Sequence, residues 1–295
     1  MSIQIFHACL RRVVNTKHYE LFPGDKLNVL RSHGIPTNEE SYFLMTRRDT
    51  VGGLGHDSGV FTLQNDKSSN IEMVFNRYVD YLLRVGHLFN FYFNYDLDFT
   101  KNGYATNIGY QERLEEAGLH PVPVIHDLYG DEVDYYIDKG YQMVAIGSNE
   151  GKNYNELWPI VDKLYRKGIK IHLFGTTRWE LISTLPISSC DSSNGNQIGA
   201  FGDIKYWNPK KQGNNKTDII YLEEYLRPGP QRGITLSTYE FREDLERYLW
   251  ENFHITTDHL VGYEKELYKQ LVNVHHLVEI QHEINKIHRI KGYWM

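Results

Sequence analysis

Short apolar runs alternate with longer amphipathic stretches over most of the chain, and this cadence predicts alternating strands and helices. Six runs are typical of strands: SYFLMT (41–46), GVFTL (59–63), FNFYFNYD (89–96), PVPVIHD (121–127), YQMVAIGS (141–148) and IKIHLFGTT (169–177). Helical periodicity lies between them, over residues 71–86, 107–117, 130–139 and 153–167. A glycine follows each helical segment, as in left-handed helix ends: Gly86, Gly118, Gly140 and Gly168.

The order of strand and helix predicts an α/β fold with a parallel sheet, either closed or doubly wound. Because the joints KGYQMVAIGS and KGIKIHLFG are alike, we favour a repeated βα unit and a TIM-type (β/α)8 barrel over residues 1–235. An open sheet would give a similar pattern. Residues 236–295 are helical in pattern. We expect a C-terminal helical extension that packs on the barrel or on a partner, in a homo-oligomer or a complex.

Composition narrows the class of protein. The chain has 295 residues, of which 41% are hydrophobic and 24% charged, as in soluble globular proteins. No run reaches 18 apolar residues and no signal-peptide cleavage site follows the N-terminus, so we expect a cytoplasmic protein without a membrane partner. Cys9 and Cys190 form neither a disulfide framework nor a CxxC motif. The net charge of −6 argues against a globally basic nucleic-acid binder but permits a local basic groove.

Carboxylates stand at several predicted strand ends. In both candidate folds, ligands bind at the carboxyl ends of parallel strands. Three ends carry aspartates, namely Asp57, Asp96 with Asp98, and Asp191. No arginine or lysine adjoins them in sequence. Such a cluster indicates acid, base or nucleophile roles, or metal ligation.

Structural interpretations compete with these functional ones. Asp57 and Asp191 each precede a serine and would serve equally well as helix N-caps. His126 and His172 fit core histidines that bond to the backbone. The residues taken alone therefore predict a barrel enzyme with an acidic face.

Four strings occur in the order and spacing of the tRNA-guanine transglycosylase superfamily. DSGVF (57–61) is similar to the DSGGF signature of that family, and MVAIGS (143–148) is similar to its strand ending in AIGG. IHLFG (171–175) stands where the family has a leucine-methionine-glycine strand end, and SCDSS (189–193) resembles the FDS or FDC string that bears its nucleophile. The longer run from VPVIHDLYG to PISSCDSSN resembles phage DpdA-type 7-deazaguanine DNA transglycosylases, over roughly residues 40–200.

The resemblance implies that guanine in DNA is exchanged for a 7-deazaguanine base without a cofactor. Asp191 would attack C1′ of the target nucleoside and form a covalent glycosyl-aspartate, as carboxylates do in retaining glycoside hydrolysis. Asp57 would transfer protons on the base. DNA would then be the polymer partner and a base like 7-cyano-7-deazaguanine the small-molecule substrate. The cytoplasm would be that of the host if a phage encodes the protein.

The same resemblance implies residues that read the edge of the base. The Asp96 carboxylate, with Ser58 beside it, would accept hydrogen bonds from the N–H groups that guanine and its deaza analogues share. Asp98 is the alternative to Asp96. His126 stands where the tRNA enzymes have a glutamine, so its role as donor or acceptor stays open.

The resemblance also implies a slot for the flat base. Gly147 and Ser148 would donate backbone N–H groups to the base carbonyl, because a glycine permits close approach. The base would lie between the rings of Phe61 and Phe174, next to Gly175. A base inside a duplex cannot enter such a slot, so it would have to be flipped out.

Two departures from the tRNA enzymes bear on the substrate. Their structural zinc is held by three cysteines and a histidine, whereas HHLVEIQHEINKIH (275–288) has no cysteine, so we expect no metal. Basic residues near aromatics could contact phosphates instead. The candidates are Arg47 and Arg48, and in KYWNPKKQGNNK (205–216) Lys205, Lys210 and Lys211. A solvated lysine loop explains the latter three equally well.

Other functions remain open at this stage. The same chemistry would serve tRNA in place of DNA. Water in place of the incoming base would give an N-glycosidase. A non-catalytic, nucleic-acid-binding barrel whose helical tail binds a partner would account for the pattern without any reaction.

Overall fold

The computed structural model describes residues 2–33, 41–60, 70–100, 103–147, 153–193, 202–222 and 234–293. Its larger sheet contains eight strands, all parallel. They are β1 (Gln4–Ala8), β2 (Leu27–Ser32), β3 (Val51–Asp57), β4 (Phe91–Tyr92), β5 (Val124–Ile125), β6 (Met143–Ile146), β7 (Lys170–Leu173) and β8 (Ser189–Ser192).

The strands follow one another around the sheet in chain order, because β1 pairs with both β2 and β8 and the order runs β4-β3-β2-β1-β8-β7-β6-β5. A parallel bridge between Phe93 and Val122 joins the two edges. There the Asn94 N–H donates to the Val122 carbonyl at 2.9 Å, and the Val122 N–H donates to the Tyr92 carbonyl at 2.8 Å. The sheet is therefore the curled parallel sheet of a TIM-like α/β fold, as the sequence predicts.

Helices alternate with these strands. They are α1 (Arg12–Leu21), α2 (Ile71–Val85), α3 (Tyr104–Glu116), α4 (Glu132–Asp138), α5 (Tyr154–Arg166) and α6 (Trp179–Ile182). The four predicted segments are confirmed to within a few residues at each end. Gly118, Gly140 and Gly168 have φ of +81°, +78° and +76°, as expected of left-handed helix ends. Gly86 differs, since its φ is −56° and the chain continues into a 3₁₀ turn.

One strand prediction in the first third was wrong, and a second lies mostly outside the described residues. SYFLMT forms a π-helical turn over Tyr42–Thr46, since a short apolar run does not distinguish a strand from a buried turn. The strand before DSGVF is instead VGGLGHD, and of GVFTL only Gly59 and Val60 lie within the described residues. Its end at Asp57 is the predicted strand end, and its glycines are needed for packing. A Cβ at Gly55 would lie 2.6 Å from the Phe91 ring.

A smaller sheet follows the eighth strand. β9 (Asp203–Trp207) pairs antiparallel with β10 (Thr217–Tyr221), which pairs parallel with β11 (Ile234–Thr235). Two further helices follow, α7 (Arg242–Phe253) and α8 (Lys265–Ile290). Their apolar side chains share one core with the small sheet: Ile204, Tyr206, Ile220, Leu245, Leu249 and Leu271. None of the helices that the structure describes is long and apolar enough to cross a membrane.

The long helix α8 packs on the barrel beside β1. Asn285 Oδ1 accepts from the Ile3 N–H at 2.7 Å, and Gln281 Oε1 accepts from the Ile5 N–H at 2.7 Å. Ile280 and Ile284 lie in one buried core with apolar side chains of β1 and β8. Helix α8 therefore covers β1 and β8, the first and last strands of the larger sheet in chain order.

If α8 is part of the barrel's core, a truncation on its buried face will destabilise the whole fold. Ile284 is fully buried, whereas Ile290 on the same helix is 86% exposed. We expect Ile284→Ala to lower the free energy of unfolding by about 2–4 kcal/mol and Ile290→Ala to change it by less than about 0.5 kcal/mol. Equilibrium denaturation of both variants measures this difference. Equal, small effects would mean that α8 is not part of the folding unit.

Candidate active site

Three aspartates lie near one another at the carboxyl end of the barrel strands. Asp57 ends β3, Asp191 lies in β8 and Asp96 follows β4. The charges of Asp96 and Asp191 both act on the Asp57 carboxyl. The structure thus brings together the three carboxylates that the strand-end rule singles out.

The charged form of the Asp57 carboxyl is disfavoured. Burial, and then the like charges of Asp96 and Asp191, raise its pKa to about 7. Asp57 Oδ2 accepts from the Gly59 N–H at 3.2 Å and from Ser32 Oγ at 3.4 Å. The structural interpretation is therefore partly right, since Asp57 caps the turn after β3. Its raised pKa also favours the protonated form up to a higher pH than in a solvent-exposed aspartate.

The Asp96 carboxylate contacts two neighbouring side chains. Its Oδ1 accepts from Ser58 Oγ at 3.3 Å, and its Oδ2 lies 3.0 Å from His126 Nε2. Asp98 instead accepts from the Thr100 N–H at 2.9 Å, and hydrogen bonding to Thr100 lowers the pKa of Asp98. Of the two aspartates after β4, Asp96 is thus the one that faces the other site residues.

The loop that carries His126 is held by a carboxylate that sequence reasoning missed. Glu132 Oε2 accepts from the backbone N–H groups of both His126 and Asp127 at 2.8 Å. Burial raises the pKa of Glu132. Gly147, after β6, leaves room for the imidazole, because a Cβ there would lie 2.9 Å from His126 Cε1. The prediction that its N–H donates to a base was wrong, since this N–H donates to the Ile125 carbonyl at 2.9 Å. An acidic residue in the first turn of the helix after PVPVIHD is the signal that could have identified Glu132.

Among the described residues, the side-chain contacts of Asp191 fall on one of its oxygens. Its Oδ1 accepts from the Gly175 N–H at 2.8 Å and lies 3.3 Å from His172 Nε2. Gly175 has φ +64°, so a residue with a side chain would be strained at this turn. His172 is fully buried, and its Nδ1 lies 2.9 Å from Ser189 Oγ. His172 is therefore a core histidine, as one interpretation predicted, but its ring nitrogens contact side chains where the prediction had backbone groups.

Aromatic rings border the same end of the barrel. The half-buried Phe174 ring lies 4.4 Å from Phe93 and 4.8 Å from His172, measured between centroids. Phe99, which sequence reasoning missed, lies 5.1 Å from the His126 ring. Phe61 and Ser148, the other predicted base contacts, lie outside the described residues.

Cys9 is a further group at this end that the strand-end analysis did not single out. It follows β1 with φ +58°, a conformation that non-glycine residues rarely adopt. Burial raises the pKa of the Cys9 thiol most. The charge of Arg31 lowers this pKa, and the charges of Asp191 and Asp57 raise it. Cys9 therefore lies within electrostatic reach of two of the three aspartates.

The predicted arginine contacts lie at the other end of the strands. Arg48 donates to the Val51 carbonyl and to Asn90 Oδ1, both at 3.0 Å, and these partners stand where β3 and β4 begin. Arg47 precedes the same turn and lies 3.6 Å from Asp49. The structure does not bring either arginine to the aspartates.

The predicted lysine contacts are engaged within the smaller sheet and its neighbours. Lys210 Nζ lies 2.7 Å from Asp244, and Lys211 Nζ lies 2.9 Å from Asp218. Lys205 is half-buried on β9, where burial lowers its pKa. These contacts agree with a structural role for the three lysines. Trp207, which lies near them in sequence, lines a groove together with Ser2, which precedes β1.

No metal site is found among the described residues, and the comparisons with known proteins assign no family. Within the part of the chain that the structure describes, no group of three or more His, Cys, Asp or Glu side chains has the geometry to hold a metal ion. No family model matches the chain, and no curated protein matches it.

Two solved structures of aldolases are similar to the chain at low identity. One is a candidate fructose-1,6-biphosphate aldolase from Coccidioides immitis, with 8% identity, a TM-score of 0.48 and coverage of 99% of this chain and 90% of that one. The other is the YdjI aldolase from Escherichia coli K12, with 8% identity, a TM-score of 0.47 and coverage of 99% and 92%. At such values the likeness carries no argument about activity.

The raised pKa of Asp57 has a consequence for stability. Between about pH 4 and pH 7 the folded state binds a proton at Asp57 that the unfolded chain releases, so stability falls as the pH rises through this window. We expect Asp57→Asn to increase the free energy of unfolding by on the order of 1–3 kcal/mol at pH 8, with no gain near pH 3.5. Denaturant titrations of both proteins at the two pH values measure the effect. A gain of equal size at both would refute the raised pKa.

Proposed function

We propose that the chain exchanges guanine in DNA for a 7-deazaguanine base through a covalent glycosyl-aspartate. The observation that carries this proposal is the pairing of two unlike carboxyls in one barrel mouth. Asp57 has a pKa of about 7, whereas Asp191 accepts N–H donors through Oδ1. The resemblance of DSGVF and SCDSS to the transglycosylase strings supports the assignment of roles.

In the first step Asp191 is the nucleophile. Its carboxylate attacks C1′ of the target nucleoside, the bond between C1′ and N9 breaks, and the bonding electrons leave with guanine. Asp57 donates its proton to the departing base. A proton donor with a pKa close to the working pH is the most effective for this task.

In the second step the incoming base reverses these transfers. Asp57, now ionised, takes the N9 proton of the 7-deazaguanine, whose nitrogen attacks C1′. The bond from C1′ to Asp191 breaks, and the carboxylate leaves with its electrons. Asp57 ends protonated as it began, so the cycle is balanced without a cofactor or net consumption of water.

Recognition of the base is assigned to the group around Asp96. Its oxygens already accept from Ser58 and lie next to His126, and a carboxylate there accepts from the adjacent N–H donors of a guanine-type edge. Phe174 and Phe99 offer ring faces or edges to a flat heterocycle. Adenine presents an acceptor where guanine has its ring N–H and would be disfavoured at Asp96.

The decisive experiment is an exchange assay with both polymers. DNA and tRNA carrying labelled guanine are incubated with 7-cyano-7-deazaguanine, and label release and base incorporation are followed. We expect matched release and incorporation with DNA. Asp191→Asn should lower the rate by at least about 10³-fold and Asp96→Asn by about 10²-fold. The control Asp98→Asn, two residues from Asp96, should stay within about threefold of the wild type.

Each contrary outcome points to a defined alternative. Exchange in tRNA alone would replace the polymer in the proposal but keep its chemistry. Release without incorporation would make the protein an N-glycosidase. Absence of release from either polymer, in protein that is folded, would leave a non-catalytic barrel.

A further inference from the structure

A fully buried histidine connects the Asp191 carboxylate to a serine on its own strand. His172 on β7 lies between the two, with Nε2 3.3 Å from Asp191 Oδ1 and Nδ1 2.9 Å from Ser189 Oγ. β7 and β8 are adjacent, and His172 is in register with Ser189. The register thus fixes the ring against both partners.

The partners determine which nitrogen carries the proton. A carboxylate only accepts, so Nε2 must be the donor towards Asp191. In the neutral imidazole, Nδ1 is then an acceptor, and the Ser189 hydroxyl donates to it. Because this arrangement satisfies both ring nitrogens without adding a buried charge, the Nε2–H tautomer is the expected one.

The two oxygens of Asp191 consequently have different roles. Among the described residues, the side-chain contacts of Asp191 with hydrogen-bond donors fall on Oδ1, from Gly175 and His172. A lone pair that accepts a hydrogen bond is less nucleophilic. Oδ2 is therefore the oxygen better suited to attack a sugar carbon.

We propose that His172 is a positioning residue for the nucleophile, in an inference that rests on the proposed base exchange. It holds Oδ1 so that Oδ2 forms the bond to C1′. In the adduct, Oδ1 becomes the ester carbonyl oxygen and stays within reach of both donors. When the incoming base displaces Asp191, negative charge returns to the carboxylate, and the two N–H groups stabilise it as it leaves.

The two steps should respond differently to loss of this donor. Hydrogen bonds to the carboxylate make it a weaker nucleophile but a better leaving group. Without His172, departure of Asp191 should therefore slow more than attack. The adduct should accumulate, whereas a merely damaged site would form less of it.

Two variants separate the donor from the bulk of the ring. The amide of His172→Gln reaches the position of Nε2 and keeps a donor towards Asp191, whereas that of His172→Asn reaches only the position of Nδ1. We expect His172→Asn to lower kcat about 10- to 100-fold with KM for DNA within about threefold, and to raise the fraction of enzyme trapped as adduct. His172→Gln should recover kcat to within about fivefold of the wild type.

Thermal unfolding of both variants serves as the control for folding. If the two variants have equal melting temperatures and equal kcat, the donor at Nε2 has no role. A lower adduct fraction in His172→Asn than in the wild type would also overturn the proposal.

A second measurement does not depend on the exchange activity. ¹⁵N NMR of the histidine rings gives the tautomer of His172, and its Nε2–H signal should shift in Asp191→Asn and in Ser189→Ala. The Nδ1–H tautomer, or a signal unchanged in Asp191→Asn, would refute the contact even if the enzyme exchanges bases. The expected signal in a protein that exchanges no base would preserve the contact and reject the proposed function instead.

Discussion

The site depends on three carboxyl groups that lie close together at the carboxyl end of the barrel strands. Burial and the negative charges of Asp96 and Asp191 oppose the ionisation of Asp57, and each of the three carboxyls has different partners. Asp57 holds a proton with a pKa of about 7, Asp96 lies against His126, and Asp191 accepts the Gly175 N–H. The three carboxyls thus differ in their surroundings, and this difference is what the proposed chemistry requires.

Two features of the fold support the strands that carry these carboxyls, namely the interior of the sheet and helix α8 outside it. Inside the barrel, Gly53 and Gly55 make room for the rings of Phe6 and Phe91, so the sheet closes around an aromatic core under the carboxyls. Outside the sheet, side-chain amides of α8 accept hydrogen bonds from the backbone at and just before β1, and α8 covers β1 and β8. Helix α8 therefore stabilises the strand that presents Asp191.

The alternation of strand and helix, and the polar residues that end apolar runs, were sufficient to place Asp57, Asp96 and Asp191 together. These features are local in sequence, and a parallel sheet aligns its strand ends. The partners of His172, and the backward reach of Glu132 onto the His126 loop, depend on strand register and helix placement that a single sequence does not reveal. The smaller sheet was missed for a related reason, because its strands find their apolar partners in α7 and α8.

Covalent attachment of Asp191 to a sugar is the step that most directly tests the proposed exchange. Folded protein is mixed with a guanine-containing DNA oligonucleotide in the absence of incoming base, denatured and digested, and its peptides are sequenced by mass spectrometry. We expect a nucleotide on Asp191 and none on Asp57. No adduct under conditions in which guanine is released, or an adduct on any other residue, would contradict it.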